Sequence, residues 1–324
     1  MITLVTLHPV GSIVLMYRYP EFLEIDYNEP SLFITETMSY VAYIMIPLTT
    51  SICLFFNRDL WISFMIKIKK LQSRFDTKQI RVSKKFLLLF ATLHCMEIIN
   101  ISTQLTWEHK DYRITLYFYI YEFGLLYIHL LFVLFNQFIC NCYKNIDKKL
   151  KERCEFAIEN KFISTSSDAK TVLKIKEYFK LYVETSSMVK DVNRLFGWII
   201  IIIFFYTLAN SVDILNWYIN GETIINPDLL DLIITIIFAA CTILSCNCTV
   251  NKGKHILHTA YAMEECFGMN SIIRLKLLEI AELAEHYLPR YSVLGLFDIN
   301  KSTIISLISI LSTYMLVVIQ FNIS

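Results

Sequence analysis

The sequence predicts an all-α, polytopic membrane protein of seven transmembrane helices, with the N-terminus inside and the C-terminus outside. Three observations carry this. Apolar runs long enough to cross a hydrocarbon core of about 30 Å alternate with charged stretches. Only 7 Gly and 6 Pro interrupt 324 residues, too few for a loop-rich or low-complexity chain. And 27 of the 30 Lys and Arg fall on one side of the alternation, which the positive-inside rule makes the cytoplasm. The 55% hydrophobic content and mean hydropathy of +0.49 point the same way; soluble chains average about 45–50% apolar residues.

The elements follow in order. Residues 1–17 form a short first span containing His8, Pro9 and Gly11, without the basic start and cleavage site of a signal peptide. A longer natural N-terminus is the alternative reading of this stretch. An acidic connector then leads to the second span, residues 33–56. Residues 57–85 are a basic cytoplasmic loop with nine Lys or Arg. The third span is 86–107 and the fourth 113–143. Residues 144–194 form a cytoplasmic helical loop with twelve basic residues, its turn placed at Ser164 to Asp168. The fifth span is 196–218 and the sixth 229–250. Residues 251–302 form cytoplasmic helices with six basic residues, and residues 303–321 close the chain as the seventh span.

Within 251–302, Ile273, Leu277, Ile280, Ala284 and Tyr287 recur at offsets of four and three, a heptad-like seam flanked by Glu279, Glu282 and Glu285. Such a seam packs either on its own chain or on another subunit.

Ionisable and amide groups inside spans are costly and mark candidate sites. With the orientation above, the outer halves hold Glu97, Gln104, Tyr119, Glu122, Tyr206, Asn210 and Asp213. Tyr206, Asn210 and Asp213 share one helix face with Trp217. Glu97 follows His94 by three residues, and Glu122 precedes His129 by seven. Rings that stack and amides that orient suit a small ligand arriving from outside. Interfacial belting and structural pairing of the acids are the competing reading.

Other chemistries find no support in the pattern. There is no phosphate loop, no His-Glu-x-x-His and no G-x-S-x-G elbow, so no enzyme is expected. The nine Cys lie outside the predicted outer loops, which implies no extracellular disulfide framework. Cys140-x-Cys142 and Cys246-x-Cys248 lack the partners that complete a metal site, so no metal or cofactor is expected. A net charge of +1 gives no footprint for nucleic acid.

The last span carries the most specific pattern. Ser302, Ser306, Ser309, Thr313, Leu316 and Gln320 form one stripe, which faces other helices or lines water. The stretch ends Thr313-Tyr314, five apolar residues, then Gln320-Phe321, and is approached through Gly295-Leu296-Phe297-Asp298. Over about residues 291–321 this resembles the signature of insect gustatory receptors. The resemblance implies a ligand-gated, weakly selective cation channel for small-molecule tastants. It also implies a homo- or hetero-tetramer of related receptors in the lipid of sensory-neuron membranes, with inner helices forming a shared anchor. Thr313, Val317, Gln320 and Phe321 would then lie at the pore or gate. The alternatives are a receptor signalling through a G protein and, last, a secondary transporter, for which the repeated halves and broken helices are missing.

Overall fold

The computed structural model describes residues 37–38, 41, 45, 48–50, 52–53, 55–75, 84–107, 112–159, 165–219 and 226–323. The expected first span at 1–17 lies outside the described residues, as do most residues of the second. Helical residues at 48–50, 52–53 and 55–56 lead into a turn at Asn57, whose N–H donates to the Cys53 carbonyl (3.1 Å). The elements that follow are α1 (Arg58–Arg74), α2 (Lys84–Trp107), α3 (Tyr112–Glu159), α4 (Thr165–Ile219), α5 (Asn226–Glu264), α6 (Ile272–His286), β1 (Ser292–Val293), β2 (Phe297–Asp298) and α7 (Lys301–Ile323).

Length is the governing feature. At about 1.5 Å per residue, α3 and α4 are about 70 and 80 Å long, more than twice the thickness of a hydrocarbon core. No Pro interrupts either helix, and the Lys- and Glu-rich sequence beyond each apolar run has strong helix propensity, so the helix continues where the apolar run stops. Pro227 sits in the first turn of α5, where its missing N–H costs nothing. Among the described residues, Ala169–Asn216 and Leu232–Glu264 are long and apolar enough to cross a membrane, and Lys301–Val317 is a shorter apolar helix.

Of the turn expected at Ser164 to Asp168, Ser164 lies outside the described residues and the remainder is helical. Thr165 to Asp168 already form the first turn of α4. Ser, Thr and Asp suit turns, but they equally suit helix starts, where backbone N–H groups need partners.

The centre of the bundle is α3, α4 and α5 packed together, with α2 against α3 and α5, and α6 against α4 and α5. One large core joins α1, α3, α4, α5, α6 and the approach to α7. A smaller cluster of Leu93, Ile234 and Phe238 ties α2 to α5. Helix α1 buries Phe64, Ile68 and Leu71, one face at spacings of four and three. Along one flank of that face it is braced to α4 by Lys67 to Asp191 (2.6 Å) and by Lys70 and Arg74 to Glu184 (3.1 and 3.3 Å).

The seam on α6 resolves to packing within the chain. Ile273, Leu277, Ile280 and Ala284 are buried, and Tyr287 packs at the edge of the same core. The same apolar stripe cannot also serve another subunit. Tyr182 of α4 donates to the Ala284 carbonyl (3.2 Å), and Arg274 bonds Glu264 across the turn from α5 (2.5 Å).

One glycine is required by close approach. A Cβ on Gly253 of α5 would lie 2.4 Å from the ring of Pro289, which follows α6. The proline ring has little freedom to yield. Gly253→Ala will therefore destabilise the fold by about 1–3 kcal/mol, the usual cost of overpacking. Thermal unfolding of the detergent-solubilised protein measures this, and an unchanged midpoint would contradict the contact.

Candidate functional site

The site is built around α7 and the segment that delivers it. After α6 the chain forms the β1–β2 hairpin, with Ser292 opposite Asp298 and Val293 opposite Phe297. Its turn has two successive residues in the left-handed region, Leu294 (φ 52°) and Gly295 (φ 77°), and closes with Leu296 N–H donating to the Val293 carbonyl (2.9 Å). Gly295 adopts this conformation freely; Leu294 is strained there. The Leu294 side chain packs over Gly197 of α4, where an added Cβ would meet it at 3.3 Å.

The hairpin is anchored by a buried polar knot. Tyr291, only 1% exposed, donates its hydroxyl to Asn136 Oδ1 of α3. Asn136 Nδ2 donates to Ser245 Oγ of α5 (3.2 Å), and Thr249 Oγ1 donates to the Asn136 backbone carbonyl (3.2 Å). Burial pushes the Tyr291 hydroxyl well above the usual phenol range, so it remains a neutral donor. The approach to α7 is thus tied to α3 and α5 by hydrogen bonds sealed from water. Nothing in the sequence pairs Tyr291 with Asn136; an amide in mid-span was the one available signal.

Asn300 then caps α7. Its Oδ1 accepts from Ser302 N–H (2.8 Å), while Thr303 Oγ1 accepts from Asn300 N–H (3.1 Å) and donates to the Asp298 carbonyl (3.2 Å). This reciprocal cap fixes the direction in which the helix leaves the bundle.

Beyond its first turn, the described side chains of α7 are covered along one narrow edge. Ile304 and Leu307 pack against the main core, and α7 meets α4 and α5. The rest is open: Ile305 is 70% exposed, Ile308 59% and Leu316 60%. Thr313, Val317 and Gln320 are exposed, and of Phe321 only its place in the helix is described. Hydroxyls of the polar stripe turn back on their own helix: Ser306 donates to the Ser302 carbonyl (3.2 Å) and Thr313 to that of Ser309 (2.9 Å). They are therefore satisfied without a partner helix and leave a polar but uncharged surface.

The residues expected to bind ligand fall on three helices. Glu97 and Gln104 lie on α2, and Tyr119 and Glu122 on α3, described by their place in the helix. Tyr206, Asn210 and Asp213 share one face of α4 and are half-buried. Beside them Asn216 is fully buried, which its position in an apolar run did not announce. A narrow crevice of about 20 Å³ opens between α2, α3 and α5, lined by Leu89, Phe90, Leu93, His129, Val133 and Phe238 among others. His129 stacks on Phe238 (4.7 Å between centroids), and Phe90 stacks on His94 (6.0 Å). Of the expected ligand residues, the three whose side chains are described, Tyr206, Asn210 and Asp213, are not among its lining. Glu97 follows Leu93 by one helical turn, and Glu122 precedes His129 by two.

Comparison with known proteins decides the family. The model of the family described as 7tm Chemosensory receptor matches residues 1–324. The chain belongs to that family. The fold of this chemosensory receptor is similar to that of the insect olfactory receptor OR5 from Machilis hrabei. The TM-score is 0.63 at 12% identity, over 99% of this chain and 88% of that one. No curated protein matches the sequence. The receptor is thus a mostly helical, membrane-embedded chemosensory protein, and the family relation suggested by residues 291–321 extends over the whole chain.

Proposed function

We propose that this receptor is a gustatory receptor acting as a ligand-gated, non-selective cation channel in the plasma membrane of sensory neurons. In this reading seven helices span the membrane, with the N-terminus inside and the C-terminus outside. Four copies, identical or related, surround a pore lined by α7. The supporting observation is α7 itself: rigidly capped, tied to the bundle through Tyr291, yet exposed on most of its circumference with a polar stripe running to Gln320. Lipid suits the apolar part of that surface, and a shared water-filled axis suits the stripe.

Thr313 and Gln320 would present neutral polar groups to passing ions, with Val317 and Phe321 forming the apolar constriction. Four Gln320 amides would replace part of an ion's hydration without strong charge selection. Beneath the membrane, the α6 seam is already used, so contacts between copies would fall on the exposed Met269, Ile272 and Leu275 instead. The tastant would enter from outside among Glu97, Gln104, Tyr119, Glu122, Tyr206, Asn210 and Asp213, above the α2–α3–α5 crevice. It would act by binding the open arrangement more tightly than the closed one.

The test is electrical. The receptor, expressed alone, is screened with a panel of sugars, amines and alkaloids while G-protein turnover is blocked with a non-hydrolysable GDP analogue. Cation currents that persist under the block are expected. Responses abolished by the block would replace this reading with G-protein signalling.

A further inference from the structure

The inner ends of α3 and α5 carry a feature that ligand gating does not use. Cys140 of α3 and Cys248 of α5, 108 residues apart in sequence, bring their Sγ atoms to 3.7 Å. Cys140 is buried and Cys248 is exposed. Their neighbours Cys142 and Cys246 are fully buried in the core, each without a thiol partner at such a distance among the described contacts. Lys144 and Lys252 follow the two cysteines by one helical turn each. This is the electropositive, partly exposed setting in which cysteines react. One thiol open to reagent with a second behind it is the arrangement of a redox dithiol.

We infer that Cys140 and Cys248 form an oxidation site for hydroperoxides, closing to a disulfide that staples α3 to α5. Cys248 attacks first, as the exposed thiolate. Its sulfur takes one peroxide oxygen, the O–O bond breaks, and hydroxide leaves and collects the proton lost from Cys248. The Cys140 thiol then attacks the sulfenic sulfur. The S–S bond forms, the S–O bond breaks, and the departing hydroxyl leaves as water with the Cys140 proton. Two thiols have lost two electrons, and hydrogen peroxide has become two waters. The sulfurs must approach by about 1.7 Å to reach bonding distance near 2.05 Å. The staple falls one turn from Asn136 and beside Thr249, so it fixes the two helices at the level of the Tyr291 knot.

The site goes beyond channel activity and is tested without it. Full-length receptor in detergent is reduced, exchanged into buffer, and split into samples with and without hydrogen peroxide. Free thiols are capped with N-ethylmaleimide and the digests are read by mass spectrometry. A Cys140–Cys248 linked peptide is expected only after peroxide, and it should vanish with dithiothreitol. Cys142→Ser and Cys246→Ser should retain the link, while Cys140→Ser and Cys248→Ser should lose it. Cys154 is an internal control: burial pushes its thiol up to about 12, so it should stay unoxidised. The proposal falls if both thiols are capped equally in the two samples. It also falls if Cys248 stops at a sulfinic acid or pairs with a different cysteine. The wild-type comparison alone decides the matter should a serine variant fail to fold.

Discussion

Replacing Tyr291 with alanine will cost the receptor about 3–5 kcal/mol, the range for removing a buried aromatic ring. The ring is buried against α3 and α5, so its loss leaves a cavity that a bundle of long helices cannot easily close. The loss also strips Asn136 Oδ1 of its donor in a site sealed from water. Tyr291→Phe separates the two effects. It keeps the ring and removes the hydroxyl, and should cost about 1–3 kcal/mol, the penalty for one unsatisfied buried acceptor. Thermal unfolding in detergent, followed by gel filtration, should rank wild type above Tyr291→Phe and Tyr291→Phe above Tyr291→Ala. Equal midpoints for all three would mean the knot does not hold the approach to α7. The knot also has a pH signature. Burial raises the folded-state pKa of Tyr291, so the unfolded chain loses this proton first. Its contribution is therefore level below about pH 10, where a free tyrosine begins to ionise, and declines above that pH. Tyr291→Phe should flatten that alkaline decline.

Gln320→Leu will lower the single-channel conductance by about half or more while leaving the protein folded and at the surface. The expectation follows from position. Gln320 is exposed near the end of a helix, one turn beyond the exposed apolar residues Met315, Leu316 and Val317. In the tetrameric reading it supplies the main polar group at the narrowest part of the pathway. Leucine keeps the volume and the helix propensity but offers nothing to a dehydrating ion. Because the side chain is exposed, stability should change by no more than about 0.5 kcal/mol. A current unchanged in amplitude would remove Gln320 from the pathway. Thr313→Val is the milder companion, since the Thr313 hydroxyl is already committed to the Ser309 carbonyl.

The sequence disclosed the parts of this fold that depend on periodicity and run length. The α6 stripe was visible as Ile273, Leu277, Ile280 and Ala284, and these residues are buried. The same pattern could not say whose surface would cover it, because a heptad records only that a face is apolar. Packing on α4 and α5 answered that. The β1–β2 hairpin escaped because strands of two residues are too short to alternate, and Leu294 is an unusual residue for a positive φ. The continuity of α3 and α4 past their apolar runs was partly hidden for a different reason. Hydropathy marks where a helix leaves lipid, not where it ends. The Tyr291–Asn136 bond joins residues 155 apart and left no mark on either local sequence. Likewise Cys140 and Cys248 belonged to two separate C-x-C pairs in the sequence until the helices brought them side by side.

The most direct test of the account is the side of the membrane on which α7 ends. An epitope tag placed after Ser324 can be stained on intact cells, with permeabilised cells as the control for expression. The account predicts staining without permeabilisation, which puts the C-terminus outside and α7 across the membrane in the direction a cytoplasmic anchor requires. Staining only after permeabilisation, in cells with receptor confirmed at the surface, would put the C-terminus inside and contradict the inverted channel topology.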